Sequence, residues 1–301
     1  MTRRCASWML LTVGLCGVWC DRSALAAETY QLRYKFQAGQ IVHYEVSHDG
    51  EITTQVSDVS ETTKNLSRSR KHFRVLSVTP DGAGDLELTI DWVRLEAKYG
   101  DEAAVVYQSD DEALRPKQYE QVHKVVGKPQ ATIRFSPLGK VIEVTKSTPS
   151  TGASRSNPDA SPESYMVPLP EQAVSVGDSW KERFEIEIVT QDKLPLRVSM
   201  LRTYKLATVN GNDATIEFRT SILTPIEDPA LSAQLIQRET SGKLTFDLSA
   251  GLITGRSSSV DRTVVNPFGP KTSLRAAGTY SEKTIPAAAI AAEPKPATVT
   301  K

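Results

Sequence analysis

Asp85-Leu86-Glu87-Leu88-Thr89-Ile90-Asp91-Trp92-Val93-Arg94-Leu95-Glu96 is the stretch that decides the fold. Polar and apolar residues alternate from Asp85 to Trp92, and a period of two puts Leu86, Leu88, Ile90 and Trp92 on one buried face of an antiparallel strand. After Trp92 the phase flips, so that Val93 and Leu95 are the apolar positions while Arg94 and Glu96 are polar. A one-residue slip of this kind predicts a β-bulge or a change of environment, with the sheet bending there.

Turn chemistry cuts the rest of the chain into similar strands. Pro80-Asp81-Gly82 and Asn210-Gly211-Asn212 each lie between alternating runs, and Asp-Gly or Asn-Gly supplies the positive φ that tight hairpins require. Phe135-Ser136-Pro137-Leu138-Gly139-Lys140-Val141-Ile142 is echoed by Phe246-Asp247-Leu248-Ser249-Ala250-Gly251-Leu252-Ile253. Two short helices are expected. One follows the Asp228-Pro229 cap and carries Leu231, Leu235 and Ile236; the other follows Pro116, carries Tyr119, Val122 and Val126, and stops at Gly127.

These features recur in one order. Gly39-Gln40-Ile41 corresponds to Gly177-Asp178-Ser179, the Asp-Gly hairpin to the Asn-Gly hairpin, one helix to the other, and the first Phe-to-Gly turn to the second. The expected fold is therefore mainly β, a large curved antiparallel sheet or half-barrel built from two related halves, each with a short helix before its last hairpin. The expected divisions are a signal peptide at 1–26, a first β half at 27–146, a disordered linker or loop at 147–165, a second β half at 166–285 and a disordered tail at 286–301. The linker and tail are rich in Ser, Pro, Ala and Thr and lack an apolar period, so they bury too little surface to offset ordering.

Arg3-Arg4, an uncharged stretch from Cys5 to Cys20 and Ala24-Leu25-Ala26 form the three parts of a secretory signal, with the mature chain beginning at Ala27. Leu15 and Trp19 stand before Cys16 and Cys20, where an acylated lipoprotein cysteine wants a small residue, so lipid anchoring is disfavoured. All three cysteines lie in this segment, which leaves the mature chain without disulfide, thiolate or cysteine nucleophile. Removing Arg3, Arg4, Arg22 and Asp21 from 36 basic and 36 acidic residues leaves a net charge of about −2, and nucleic acid is a poor partner for such a chain. The apolar stretch is shorter than the ~20 residues of a membrane-spanning helix, so no span is expected once it is cleaved.

Candidate chemistry is sparse. The four histidines are His43, His48, His72 and His123. His43 and His48 differ by an odd number of positions on one strand and face opposite ways, so they do not chelate one ion, and isolated imidazoles are expected. Ser109-Asp110-Asp111-Glu112 lacks the alternating oxygens and central glycine of a calcium loop and reads as a solvated loop before the first helix. Arg68, Arg70, His72 and Arg74 share one strand face, where they either receive an anionic group or pair across the hairpin with Glu45, Asp49 or Glu51. Tyr44, Phe73, Trp92, Trp180 and Phe184 either fill the core or line an apolar groove. Asn65-Leu66-Ser67 matches a glycosylation pattern and is given no role. No nucleophile elbow, Walker loop, dinucleotide fingerprint or His-Glu-Xaa-Xaa-His pair occurs.

Tyr30-Gln31-Leu32-Arg33-Tyr34-Lys35-Phe36-Gln37-Ala38-Gly39-Gln40, followed by Leu169-Pro170 and Val176-Gly177-Asp178-Ser179-Trp180, resembles a family of uncharacterised exported bacterial proteins of the kind found in planctomycete-type genomes. The resemblance implies export and an all-β fold and brings no activity or functional residue. The reading from sequence is an exported, non-enzymatic envelope protein with no cofactor, metal or catalytic residue assigned. Its expected partner is a lipid, another amphipathic ligand or a glycan on a concave sheet face. The alternatives are a structural or protein-interaction module of the envelope and a hydrolase with scattered carboxylates.

Overall fold

The computed structural model describes residues 28–147 and 165–286. The signal segment, nearly all of the expected linker and the tail beyond Pro286 lie outside the described residues. Among the described residues β1 (Thr29–Tyr30) and β8 (Val174–Ser175) form a two-stranded sheet, and the main sheet has twelve strands, all paired antiparallel. Its path runs from one free edge, β7 (Val141–Ser147), through β6 (Pro129–Phe135), β4 (Gly84–Tyr99), β3 (Val59–Val78) and β2 (Ile41–Val56) to β14 (Thr272–Ile285). It continues through β13 (Leu252–Val265), β12 (Ser241–Asp247), β11 (Asp213–Ile222) and β10 (Pro195–Asn210) to the second edge, β9 (Ser179–Val189). The edges do not pair, so the sheet is open. The short β5 (Val105–Gln108) lies beside β4 at Arg94–Ala97, while β6 takes Gly84–Thr89.

The path displays two halves. β7-β6-β4-β3-β2 repeats the order β13-β12-β11-β10-β9, and in each half a helix precedes the last hairpin: α1 (Glu120–Val125) before β6, α2 (Pro229–Leu235) before β12. β14 belongs to neither half and joins them, pairing with β2 from Thr272↔Val56 to Ile285↔His43 and with β13 from Gly255↔Lys283 to Val265↔Ser273. The Asp-Gly and Asn-Gly turns close β3–β4 and β10–β11, with Gly82 at φ 85° and Gly211 at φ 59°. Asp228 caps α2, accepting a hydrogen bond from Ala230 N at 2.8 Å, with Pro229 in the first turn.

The bulge is present, one residue earlier than the alternation suggests. Arg70 pairs with Trp92 and Lys71 with Ile90, so Asp91 is the extra residue. Leu86, Leu88 and Ile90 share one face as expected, joined by Val93, Leu95 and Ala97 beyond the bulge. Trp92 does not join them. It stands on the opposite face, where its ring lies 5.1 Å from the Arg70 guanidinium and its Nε1 donates to Asp110 at 2.8 Å. An aromatic with a polar N–H finds both partners at the half-exposed surface, which makes that face the better place for it.

The core lies on one face and is shared by both halves. Residues directly opposite in antiparallel strands share a face. Val42, Tyr44, Phe73, Leu86, Leu88 and Ile133 of the first half therefore face the same way as Tyr204, Phe218, Ile216, Leu244 and Phe246 of the second. Two segments cover this face, Leu32–Phe36 and Tyr165–Leu169. Phe36 and Met166 each pack against the clusters of both halves, so the sheet curls around them and this face is concave.

The two echoed turns hold these covering segments. Tyr34 N donates to Pro137 O at 2.8 Å and Lys35 N to Gly251 O at 3.1 Å. Gly139 and Gly251 sit at φ 75° and 63°, and a Cβ on either would come within 2.6 Å of Val167 O or 2.7 Å of Lys35 N. Glycine is required there both by conformation and by the close approach of another backbone. At the other end of the concave face α2 buries Leu235 against Ile188, Val198 and Met200, and Tyr119 beside α1 packs on Tyr107 of β5. Among the described residues no helix is long and apolar enough to cross a membrane.

Candidate functional site

A belt of cations and aromatic rings crosses the concave face. Lys71 Nζ lies 5.8 Å from the Tyr44 ring and 5.6 Å from Phe73; Arg256 lies 5.9 Å from Phe218 and 5.5 Å from Tyr280. Arg202 continues it, 5.3 Å from Phe184 and 5.6 Å from Phe218. Strand register produces this belt. Tyr44 is directly opposite Lys71, Glu282 opposite Arg256, and Arg202 opposite Glu182, so period-two alternation sends all six side chains inward. Each cation stacked on a ring contributes about 0.5–2 kcal/mol, the larger value where water is excluded.

Glu282 anchors the belt. Its Oε1 is 2.7 Å from Lys71 Nζ, with the two side chains 10% and 16% exposed, and its Oε2 accepts from the Tyr280 hydroxyl at 2.8 Å. Burial pushes this carboxyl up, but the charges of Lys71 and Arg256 and the hydrogen bonds outweigh it, and the group ends below the usual carboxylate range. It is therefore an anion near neutral pH and a poor proton donor. Glu182, the other belt carboxylate, accepts from the buried Tyr204 hydroxyl at 2.8 Å. Three cations against two carboxylates leave the belt with one net positive charge.

On one side of the belt, toward the echoed turns, Tyr34, Phe36, Tyr44, Phe73, Tyr165 and Met166 line an apolar pocket. The space open inside it is only ≈ 40 Å³, far below the ~300–1,000 Å³ of an ordinary ligand pocket, because Tyr165 and Met166 fill it. Tyr165 meets Phe73 edge-on with centroids 6.0 Å apart. On the other side the concave floor mixes small or polar residues, Gly50, Ser67, Ser69, Ser258 and Gly278, with the apolar Val46, Val93, Leu95 and Val260, and His48 is exposed beside them. A second, open cleft of ≈ 900 Å³ lies at the seam of the sheet. It is lined by Val141 at the β7 edge, by Pro168–Val174 and by Ser179–Arg183 at the β9 edge.

The residues singled out in the sequence separate by face. Tyr44, Phe73 and Phe184 are in the belt, and Trp180 stacks on Tyr204 at 5.5 Å while donating to Pro168 O at 2.9 Å. Arg68, Arg70, His72 and Arg74 do share the convex face, and the cross-hairpin pairing applies to Arg68, which forms a two-pronged ion pair with Asp49. The acidic loop is structural. Asp110 holds Trp92, and Asp111 accepts from Ala113 N at 2.9 Å, capping a short 3-10 turn. The histidines are not all isolated: His43 and His72 are directly opposite on β2 and β3, with ring centroids 5.2 Å apart and Asp91 beside them. Spacing along one strand missed this pair because the partner is on the next strand. Lys71, Arg202, Arg256 and Glu282 were also missed; each is a charged residue at an inward position of an otherwise alternating strand, which is the signal that marks them.

A model of a family of unknown function, DUF6263, matches residues 154–253, which include Leu169-Pro170 and Val176–Trp180. No curated protein matches the chain. Among solved structures, one of lipovitellin described by its lipid–protein interactions is 11% identical with a TM-score of 0.45, covering 84% of this chain and 26% of its own. DynF from the dynemicin biosynthesis pathway of Micromonospora chersina is 8% identical with a TM-score of 0.21, covering 94% of this chain and 95% of its own. The chain thus spans about a quarter of the lipovitellin structure.

Proposed function

We propose that this chain is an exported envelope protein that binds an anionic amphiphile on its concave face and catalyses no reaction. The belt of Lys71, Arg202 and Arg256 against Tyr44, Phe73, Phe184, Phe218 and Tyr280 carries this reading, since it sets excess positive charge among rings in a half-buried trough. An anionic head meets that charge from the open floor. The acyl chain takes the apolar pocket by displacing Met166, an unbranched and adaptable side chain suited to giving way. The belt carboxylates are held by Lys71, Tyr280 and Tyr204, which suits scaffolding more than hydrolysis. Export rests on Arg3-Arg4, the apolar stretch and Ala24-Leu25-Ala26.

Native mass spectrometry of the protein recovered from the envelope fraction tests both parts: a mass beginning at Ala27 with an amphiphile retained is the expected result. Titration with palmitoyl-lysophosphatidylglycerol in a Trp92→Phe background isolates Trp180 as the fluorescent reporter of the mature chain. Lys71→Met with Arg256→Met is expected to weaken binding by at least about ten-fold. Absence of any bound amphiphile, in cells and in titration, sinks the reading.

A further inference from the structure

We propose that His43, His72 and Asp91 form a binding site for a divalent first-row transition-metal ion of the Zn²⁺ type on the convex face of the sheet. His43 and His72 are fixed opposite each other by the β2–β3 register, with side chains 21% and 14% exposed. Asp91 is the additional residue of the β4 bulge, and this turns its carboxylate toward the two rings. His72 Nδ1 lies 2.9 Å from both carboxylate oxygens, and His43 Nδ1 lies 3.9 Å from Oδ2. One donor atom from each of the three residues falls within 4.8 Å of the others.

The geometry is close to what an ion needs. Ligands at ~2.0–2.1 Å in a tetrahedral arrangement stand about 3.3 Å from one another, so small side-chain rotations complete the set. Two imidazoles and one carboxylate suit Zn²⁺, Cu²⁺, Ni²⁺ or Co²⁺, whereas Ca²⁺ and Mg²⁺ want oxygen alone. Burial, and then the neighbouring His72, lower the His43 pKa below its ordinary value, with Asp91 opposing. A neutral ring is the ligating form of histidine. The rows that flank the site carry one net positive charge. Lys283, Glu45 and Arg70 occupy the adjacent row on one side, Arg74 and Glu87 the row on the other, and the buried Thr89 stands opposite His72 as its cross-strand neighbour. Three protein ligands leave at least one coordination position for water or for a donor from a partner.

The site uses residues other than the concave belt, so it stands or falls separately from ligand binding there. Isothermal titration of the mature chain with ZnCl₂ at neutral pH, after EDTA treatment and dialysis, is expected to give one ion per chain. Asp91→Asn, which keeps the side-chain shape, is expected to weaken binding by at least about ten-fold, and His43→Ala with His72→Ala to abolish it. The His48→Ala, His123→Ala variant removes the remaining imidazoles and is expected to bind as the parent does. Co²⁺ gives the visible absorption of a tetrahedral or five-coordinate site in the parent and loses it in Asp91→Asn. No heat or Co²⁺ absorption in the parent overturns the proposal. So does Zn²⁺ affinity unchanged in the His43, His72 double variant, with each variant's circular dichroism confirming that it is folded.

Discussion

Glu282 shows how one residue holds a concave surface together. A carboxylate at this depth is stable only because Lys71 and Tyr280 touch both of its oxygens and Arg256 adds its charge. Removing one partner of a buried pair leaves the other uncompensated, which costs about 3–5 kcal/mol. Glu282→Gln is therefore expected to lower stability by about 3 kcal/mol in urea denaturation at pH 7. The pH dependence has a definite sign. The folded value is lower than the unfolded one, so the stabilisation is complete above the unfolded value and is lost as pH falls through the folded one. The gap between parent and variant urea midpoints should thus narrow below about pH 4, and a gap that is constant with pH would count against the ion pair. The part of Lys71 in this was not legible in the sequence. Lys71 sits in a run of charges from Arg68 to Arg74, and only pairing with Tyr44 on β2 distinguishes it as the one that points inward beside an aromatic.

At the scale of the element, the bulge in β4 sets more than curvature. It lets one strand present Leu86, Leu88 and Ile90, and then Val93 and Ala97, to the same face despite an interrupted alternation. Deleting Asp91 would close the bulge and leave Trp92 to Tyr99 on their present faces, because Ile90 and Trp92 already stand opposite Lys71 and Arg70, whereas inserting one alanine after Trp92 would turn Val93 to Tyr99 over, exposing Val93 and Ala97 and forcing Arg94 and Glu96 inward. The insertion is expected to abolish soluble folded protein, as read by yield and near-ultraviolet circular dichroism, and the Asp91 deletion to keep it. Deleting Asp101, in the turn after β4, is expected to be tolerated. The slip was readable because apolar residues changed parity. Its exact position was not, because Trp92 is apolar enough to count with the core and amphipathic enough to prefer Arg70 and Asp110. Helix α2 was readable to its cap, since Asp228-Pro229 acts through local backbone chemistry, whereas the His43–His72 pair depends on register across β2 and β3 and has no local trace.

At the scale of the molecule, the order of hairpins and helices in the two halves was legible, because turns and caps are local and recur. Which strand joins the halves was not. The last hairpin of the first half ends at β7, which is a free edge, and β14 occupies the centre. The β9 edge is guarded by charge. It alternates Lys181, Arg183, Glu185 and Glu187 outward, which discourages pairing with another chain.

The position of β14 also sets a timetable. Its register brings Tyr44 to Thr284, so the central seam closes only between segments far apart in sequence. Contacts of such sequence separation are slow to form, and refolding from urea is expected on the millisecond-to-second scale or slower, without a fast phase that recovers the native near-ultraviolet signal. A chain truncated before Thr272 should fail to refold at all, since β2 and β13 would each keep an unpaired edge in the middle of the sheet. Until β14 has been made, β2 and β13 have no common partner, and the two halves of the sheet cannot be joined.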